Sequence, residues 1–164
     1  MEQIKIKLNG GIMPKKADSL AAAYDLYAPS TVKLKYGRQV IDLGFSMELP
    51  HGYAANIQAR SGFSVNGFEV YLIPRWFLVP FVSTRIVKVD ADVTLGLVDE
   101  NFRNNVGAII KSRFFSLFFK AYVAAGTRIA QMRISKVPET ELIEVEELDM
   151  TNDRGGGYGH TGTK

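Results

Sequence analysis

The stretch ARSG at residues 59–62 contains residue types that together can bind phosphate. The guanidinium of Arg60 is a charged donor, the hydroxyl of Ser61 is a neutral donor, and Gly62 lets a phosphate oxygen approach the backbone N–H. The same three residues are also common in surface turns. The stretch therefore predicts either a phosphate site or an ordinary turn.

A second candidate is Asp99 in the stretch GLVDENF, where it follows the apolar residues Leu97 and Val98. A carboxylate at the mouth of a strand, in a largely dry neighbourhood, is well placed to act as a general base. Taken alone, an aspartate at this position is more typical of a turn, and Phe102 is more typical of a core. Both interpretations of Asp99 stay open at this point.

Gln131 lies in the stretch GTRIAQMRI, which alternates like a strand. A period of two places Gln131 on the same face as Ile129 and Arg133, and away from Ala130 and Met132. The amide belongs either to an exposed strand or to a polar site between two faces of different character.

The end of the chain reads DRGGGYGHTG, in which four glycines surround Tyr158. Glycine permits close backbone approach to a ligand, Arg154 can pair with a terminal phosphate, and Tyr158 can stack on a planar base. A stretch of this composition cannot build a core. It predicts either a disordered tail or an arm that becomes ordered on a ligand.

The elements that must position these residues are short strands. Ile4, Ile6 and Leu8 alternate with polar residues, as in a half-buried strand. Further short runs, most of them bounded by Gly, Pro, Asn or Asp, lie at residues 40–49, 53–59, 70–73, 85–89, 106–110, 128–136 and 141–146. Residues 19–26, SLAAAYDL, favour a short helical turn, but the prolines on either side leave no room for a helical layer. The pattern predicts an all-β sandwich, barrel or jelly roll.

Composition narrows the class of protein. The chain has 164 residues with 46% hydrophobic content, enough for one domain with an ordinary core. It has no cysteine, and its two histidines, His51 and His160, are too few for a histidine-rich metal centre.

Charge and hydropathy limit the partners. The net charge of +3 is dispersed and forms no basic stripe, so we expect no nucleic acid partner. The first residues lack the apolar region of a secretory signal, and the apolar run at residues 76–82 is far shorter than the roughly 20 residues of a membrane span. We expect a soluble, intracellular protein of the cytoplasm with no membrane partner.

Five stretches in order, AYDL, RSG, GLVDENF, RIAQM and RGGGYGHTG, resemble the five sequence motifs of the trimeric deoxyuridine triphosphate nucleotidohydrolases, the dUTPases. The resemblance implies an all-β subunit with a distorted jelly-roll, or β-clip, fold. It also implies a homotrimer whose active sites are each built from three chains, with a C-terminal arm exchanged between subunits. The implied reaction is Mg²⁺-assisted hydrolysis of dUTP to dUMP and pyrophosphate.

The resemblance implies roles for individual residues. Asp99 would deprotonate the water that attacks the α-phosphorus, and Asp25 would act on Mg²⁺ indirectly, through a water, while substrate phosphates hold most of the ion. The phosphate-binding residues would be Arg60, Ser61, Gly62, Gln131, Arg154, His160 and Thr161. The base- and sugar-binding residues would be Val93, Leu95, Gly96, Phe102 and Tyr158.

Several positions depart from the family pattern. Some members carry an asparagine where this chain has Val93, so main-chain groups of a β-hairpin at residues 87–99, with DAD at its turn, are expected to read uracil. Phe102 replaces the usual tyrosine and keeps the ring that packs on deoxyribose, without its hydroxyl.

Residues 69–89 form an apolar segment longer than the family pattern, interpreted as an extra hairpin or as a partner-binding patch. The expected domains are residues 1–148, with this insertion, and an arm at residues 149–164.

Two other functions remain as alternatives. A dCTP deaminase or bifunctional relative shares the fold and needs a glutamate near the base, for which Glu100 is available. A non-catalytic nucleotide-binding module would use residues 69–89 as its working surface. The GLVD pattern and the glycine-rich tail favour hydrolysis at phosphate, and every residue that this chemistry requires is present.

Overall fold

The computed structural model describes residues 2–75, 84–153 and 155. In chain order the elements are β1 (Lys5–Leu8), β2 (Tyr24–Tyr27), β3 (Val32–Leu34), β4 (Gly37–Asp42), β5 (Phe45–Glu48), β6 (Tyr53–Gln58), α1 (Ser61–Asn66), β7 (Phe68–Pro74), β8 (Arg85–Val89), β9 (Ala91–Thr94), β10 (Gly96–Val98), β11 (Gly107–Ser112), β12 (Phe119–Val123) and β13 (Arg128–Lys136). The all-β class is confirmed.

The described strands form four antiparallel sheets, with strand orders β1-β5, β10-β6-β13-β2, β4-β11-β9 and β3-β12-β7-β8. Most hydrogen-bonded neighbours are distant in sequence, since β2 pairs with β13 and β3 pairs with β12. Each sheet joins parts of the chain that local patterns alone cannot connect.

One core lies between the sheets, and each sheet contributes to it. Alternation explains which side chains enter: in β9, Ala91 and Val93 are buried while Asp92 and Thr94 are exposed. The largest side chains that are almost fully buried include Phe45, Phe68, Leu26, Leu43, Ile57, Ile110 and Ile129. Burial of this many large apolar groups fixes the sheets relative to one another.

The single described helix, α1, follows directly on β6 and turns the chain toward β7. Its only buried side chain, Phe63, meets the ring of Phe68 edge to face, with centroids 4.0 Å apart. Gly67 ends the helix at a φ of 77°, a left-handed conformation that glycine adopts without strain. This short turn places Arg60, Ser61 and Gly62 at the end of strand β6, in the sheet β10-β6-β13-β2, which we call the central sheet.

Three predicted segments differ in the structure. Residues 19–26 contain no helix: Tyr24–Tyr27 is strand β2, because Leu26 is fully buried and β13 supplies a sheet partner. Residues 141–146 form no strand, and Leu142 and Ile143 are 97% and 74% exposed. No described strand pairs with that segment.

The expected β-hairpin at residues 87–99 is not formed either. β8 pairs with β7, β9 pairs with β11 and β10 pairs with β6, so three consecutive strands enter three different sheets. The DAD stretch is not a hairpin turn, because Ala91 is already buried as the first residue of β9. Burial of Val89, Ala91 and Val93 holds this part of the chain in the core.

Residues 69–89 supply most of β7 and all of β8, which pair with Glu69 opposite Lys88 and Leu72 opposite Arg85. The residues between them, 76–83, lie outside the described part of the chain. None of the helices that the structure describes is long and apolar enough to cross a membrane.

Candidate active site

Three polar residues lie in one row across the central sheet. The register pairs Gln131 of β13 with Asp25 of β2 on one side and with Gln58 of β6 on the other. Residues directly opposite on adjacent strands point to the same face of a sheet. The row therefore brings one carboxylate and two amides to a single surface.

The Asp25 carboxylate is the centre of an ion-pair network. The residue is only 9% exposed; one carboxylate oxygen forms an ion pair with Nε of Arg60 at 2.8 Å, and the other accepts from Nη1 of Arg128 at 3.3 Å. The contact with Arg60 uses Nε and leaves the terminal guanidinium nitrogens without a partner among the described residues. Asp25 thus fixes a cation whose remaining donors are available to an anion.

A cavity of about 340 Å³ lies over this row. Its lining includes Asp25, Gln58, Arg60, Ser61, Gly62, Gln131 and Arg133. The two arginines outnumber the one carboxylate, so the cavity has a positive balance. At Gly62 a Cβ would meet nothing within 4 Å, which leaves open space beside the backbone.

The first backbone donors of α1 add to this surface. The helix hydrogen bonds begin at Phe63, whose N–H donates to Arg60 O at 3.0 Å, so the N–H groups of Ser61 and Gly62 precede the first helical donor. Neutral backbone donors beside guanidinium groups favour a phosphate ligand. The structure brings together Asp25, Arg60, Ser61, Gly62 and Gln131.

Asp99 lies elsewhere on the chain. It is exposed, directly follows β10, and borders a second cavity, of about 520 Å³, with His51, Tyr53 and Glu100. Val98 pairs with Ala55, so Asp99 lies beside Ala54, six residues before Arg60. At a rise of about 3.3 Å per residue, Asp99 and Arg60 are about 20 Å apart along the strand direction.

The residues expected to contact base and sugar have unequal access. The Val93 side chain is 5% exposed and belongs to the core, so it presents no side-chain surface to a ligand. Leu95 is 65% exposed, Gly96 opens β10, and Phe102 is half-buried against the core. Arg154, Tyr158, His160 and Thr161 lie outside the described residues.

Glu100 is held by two hydrogen bonds. One carboxylate oxygen accepts the Gly52 N–H at 2.8 Å, and both oxygens lie 3.1 Å from Nδ1 of His51. The Gly52 bond, followed by the His51 bond, lowers the pKa of Glu100 below the ordinary range of a glutamate. These contacts place Glu100 at the second cavity, whose lining does not include Arg60 or Gln131.

Sequence reasoning missed three residues of the first cavity and its network. Gln58 and Arg133 line the cavity, and Arg128 shares Asp25 with Arg60. The signal for Arg133 was present, since alternation places it on the face of Gln131. The same alternation fails at Ile129, because a register shift between Arg128 and Ala130 leaves both Ile129 and Ala130 fully buried.

The fold and the first cavity define an antiparallel β protein with a cavity in which two arginines outnumber one carboxylate. The family model for dUTPase matches residues 9–80. The deoxyuridine 5′-triphosphate nucleotidohydrolase of Anaplasma marginale is 32% identical over 155 residues, which cover 92% of this chain and 89% of that protein. The protein of the same description from fowlpox virus is 30% identical, covering 93% of this chain and 90% of the relative. The chain belongs to the dUTPase family.

Solved structures agree on the fold. The dUTPase of Staphylococcus bacteriophage 80alpha with dUPNHPP matches with a TM-score of 0.74 and 23% identity, and the match covers 99% of each chain. A mutant dUTPase of the S. aureus phage phi11 matches with a TM-score of 0.68 and 20% identity, covering 90% of this chain and 99% of that one. These similarities confirm the predicted jelly-roll, β-clip fold.

Proposed function

We propose that this member of the dUTPase family hydrolyses dUTP to dUMP and pyrophosphate. The observation that carries the proposal is the cavity in which Arg60, Ser61, Gly62 and Gln131 converge over one buried carboxylate, Asp25. Relatives at 30% identity and above carry the name of this activity. The phage 80alpha relative has been solved with dUPNHPP, a nucleotide of the same class.

In the proposed mechanism, Asp99 accepts a proton from a water whose oxygen attacks the α-phosphorus. The bond from the α-phosphorus to the oxygen that bridges to the β-phosphorus breaks, and pyrophosphate leaves with that oxygen. Phosphoryl transfer depends mainly on positioning and charge neutralisation. Arg60, Ser61, the backbone at Gly62, and Gln131 hold the phosphate oxygens in this scheme.

The separation of about 20 Å between Asp99 and Arg60 requires a second copy of the chain, because both must reach one triphosphate. In a homotrimer, the open end of β10 from one subunit lies against the Arg60 cavity of another. A shared site of this kind is consistent with the exposed Leu95 and Leu97, which are 65% and 64% exposed in one chain. The proposed assembly is therefore a trimer with three shared sites.

Uracil and deoxyribose are assigned to the strand of Asp99. Because the Val93 side chain is buried, base recognition falls to main-chain groups near Leu95 and Gly96. Phe102 presents a ring to the sugar, and Tyr158 of the arm covers the base from the other side. The arm also brings Arg154, His160 and Thr161 to the outer phosphates.

Mg²⁺ fits the donors of the first cavity as an ion held mainly by the substrate. Among the described residues no three His, Cys, Asp or Glu side chains cluster as a metal site. One arginine lies against each carboxylate oxygen of Asp25, and each oxygen has a second lone pair that can accept from a water. A bound Mg²⁺ would neutralise charge on the phosphates, with Asp25 reaching it through water. The phi11 relative coordinates a structural Mg(II) ion.

The first test is pyrophosphate release, with Mg²⁺, from dUTP, dTTP, dCTP and UTP in parallel, with each nucleotide product identified. We expect release from dUTP to dominate and to give dUMP. Deamination of dCTP would instead support the deaminase alternative, and binding of dUTP without turnover would support the non-catalytic one. Turnover of UTP at a comparable rate would show that the Phe102 ring alone does not exclude a 2′-hydroxyl.

Truncation after Met150 tests the arm, which we assign to residues 149–164 beyond a domain at residues 1–148. Residues 151–164 contain one large apolar or aromatic side chain, Tyr158, so their removal leaves the trimer intact. Lost phosphate and stacking contacts lower kcat/KM by about 100-fold. Steady-state kinetics and mass measurement by light scattering check both parts, and dissociation of the trimer would contradict the assignment.

A further inference from the structure

Glu100, the residue after the proposed base, joins two loops. It belongs to the β10–β11 loop, and its carboxylate reaches the turn between β5 and β6. There it accepts the Gly52 N–H at 2.8 Å and lies 3.1 Å from Nδ1 of His51. These contacts span 48 and 49 residues of sequence, so they tie together two loops that are far apart along the chain.

The β5–β6 turn that Glu100 contacts is itself fixed by backbone hydrogen bonds. Tyr53 N donates to Pro50 O at 3.2 Å and closes the turn, and Gly52 sits at a φ of 75°, which favours glycine. The Gly52 carbonyl accepts from Val137 N at 2.8 Å, which ties the turn to the end of β13. Glu100 therefore contacts a fixed point of the central sheet.

The β10–β11 loop, which contains Asp99 and Glu100, has hydrogen bonds between its own residues. Phe102 N donates to the carbonyl of Asp99 at 3.1 Å, and the Arg103 guanidinium donates to the carbonyls of Glu100 and Phe102. The exposed carboxylate of Asp99 makes no hydrogen bond to another described residue, so its placement depends on the backbone of this loop. Asn105 ties the far end of the loop to Asp42 and Asn9, and Glu100 ties the end next to Asp99 to the β5–β6 turn.

We propose that Glu100 is a positioning residue for the dUTPase reaction, holding the backbone of Asp99 in place by its contacts with Gly52 and His51. The inference rests on the proposed role of Asp99 as the base. Glu100 touches neither nucleotide nor water in this scheme. A shift of about 1 Å in a catalytic group can cost about 100-fold in rate, so a residue that fixes the loop has a large effect on kcat.

His51 gives the contact a pH dependence. The hydrogen bond that His51 donates to Glu100, then the charge of Glu100, then Glu139 raise the pKa of His51 above its ordinary value. Nε2 of His51 lies 3.6 Å from the Glu139 carboxylate, and Asp99 and Tyr53 border the same cavity. The carboxylates of Glu100 and Glu139 favour imidazolium, and the cation of the loop, Arg103, donates to the backbone carbonyls of Glu100 and Phe102.

The raised pKa of His51 and the lowered pKa of Glu100 together set the pH range in which their contact is charged. Because the folded protein raises the pKa of His51, the charged contact is complete at lower pH and is lost as pH rises through that raised value. Glu100 has a lowered pKa, so its half of the contact is lost only when pH falls below the ordinary range of glutamate. Between these limits the hold on the Asp99 loop is strongest.

The test compares Glu100→Ala and Glu100→Gln with Asp90→Ala, all as full chains with dUTP and Mg²⁺. Asp90 is a matched control, because it is an exposed carboxylate with an ion pair to Arg113 at 3.0 Å and lies outside the Asp99 loop. We expect Glu100→Ala to lower kcat by about tenfold to 100-fold with KM within about twofold. Glu100→Gln keeps an acceptor for Gly52 and loses less, and Asp90→Ala matches the unsubstituted protein.

A pH profile separates positioning from mere stability. In the unsubstituted protein, kcat declines as His51 loses its proton, and this decline is absent in Glu100→Gln and in His51→Gln. An independent readout is the NMR titration of His51, whose pKa falls toward its ordinary value in Glu100→Gln.

Three outcomes would overturn the inference, and the third would also overturn the proposed role of Asp99. One is a kcat of Glu100→Ala within twofold of the unsubstituted value while Asp99→Asn abolishes turnover, which would leave the proposed function intact. Another is an equal loss of kcat at every pH together with dissociation or unfolding, which would make Glu100 a stability residue only. Full turnover by Asp99→Asn would overturn the role of Asp99 and this inference with it.

Discussion

Replacing Asp99 by asparagine is expected to abolish dUTP turnover, lowering kcat by about 10² to 10⁴-fold. Asparagine keeps the size of the side chain but cannot accept the proton of the attacking water. Asp99 is exposed in the chain and packs in no core, so the substitution leaves the fold unchanged. Pyrophosphate release under single-turnover conditions measures the loss.

Nucleotide binding separates loss of chemistry from loss of the site. Calorimetry with a non-hydrolysable dUTP analogue is expected to give an affinity within about threefold of the unsubstituted protein, because Arg60, Ser61 and Gln131 are intact. Asp90→Asn is a suitable control, since Asp90 is an exposed aspartate that pairs with Arg113 at 3.0 Å. Persisting turnover in Asp99→Asn would show that another group is the base.

Mixing two inactive variants is expected to restore activity. If Asp99 and Arg60 of one site come from different chains, trimers reassembled from equal amounts of Asp99→Asn and Arg60→Gln have about a quarter of their sites intact. The separation of about 20 Å between these residues within one chain is the reason for this expectation. Activity is measured after joint unfolding and refolding.

Two comparisons make the mixing experiment decisive. Each variant refolded alone remains inactive, and simple mixing without refolding gives activity only as subunits exchange. A site built within a single chain would give no activity in any mixture. That result would contradict the shared site, and it would require another explanation for the separation of Asp99 from Arg60.

Local patterns predicted much of the fold. They marked β8 and β13 with their full bounds, because both runs are rich in apolar and β-branched residues and end at turn signals. The helix α1 escaped prediction, since SGFSVN contains a glycine and β-branched valine and is held in place by the burial of Phe63. Strand Tyr24–Tyr27 replaces part of the helical turn expected for residues 19–26, because the alanines before it favour a helix while β13 supplies a strand partner.

The sequence predicts which residues belong to the site better than it predicts how they are arranged in space. The ARSG stretch, Asp25 and Gln131 were identified from motifs, and the structure places them at one cavity. The pairing of Asp25 with two arginines and the separation of Asp99 depend on which strands pair. Sheet pairing joins residues far apart in the sequence, and a period of two gives no information on the partner.

Strand β8 has a consequence for how copies of the chain meet. It is the outer strand of its sheet, so one row of its backbone N–H and C=O groups lacks a strand partner among the described residues. Such an open edge can template pairing with a strand from another molecule and so promote aggregation. Arg85 and Lys88 are exposed on this strand, and like charges on two such edges repel. The apolar segment at residues 69–89 thus ends in a strand whose exposed positive charges oppose edge-to-edge association.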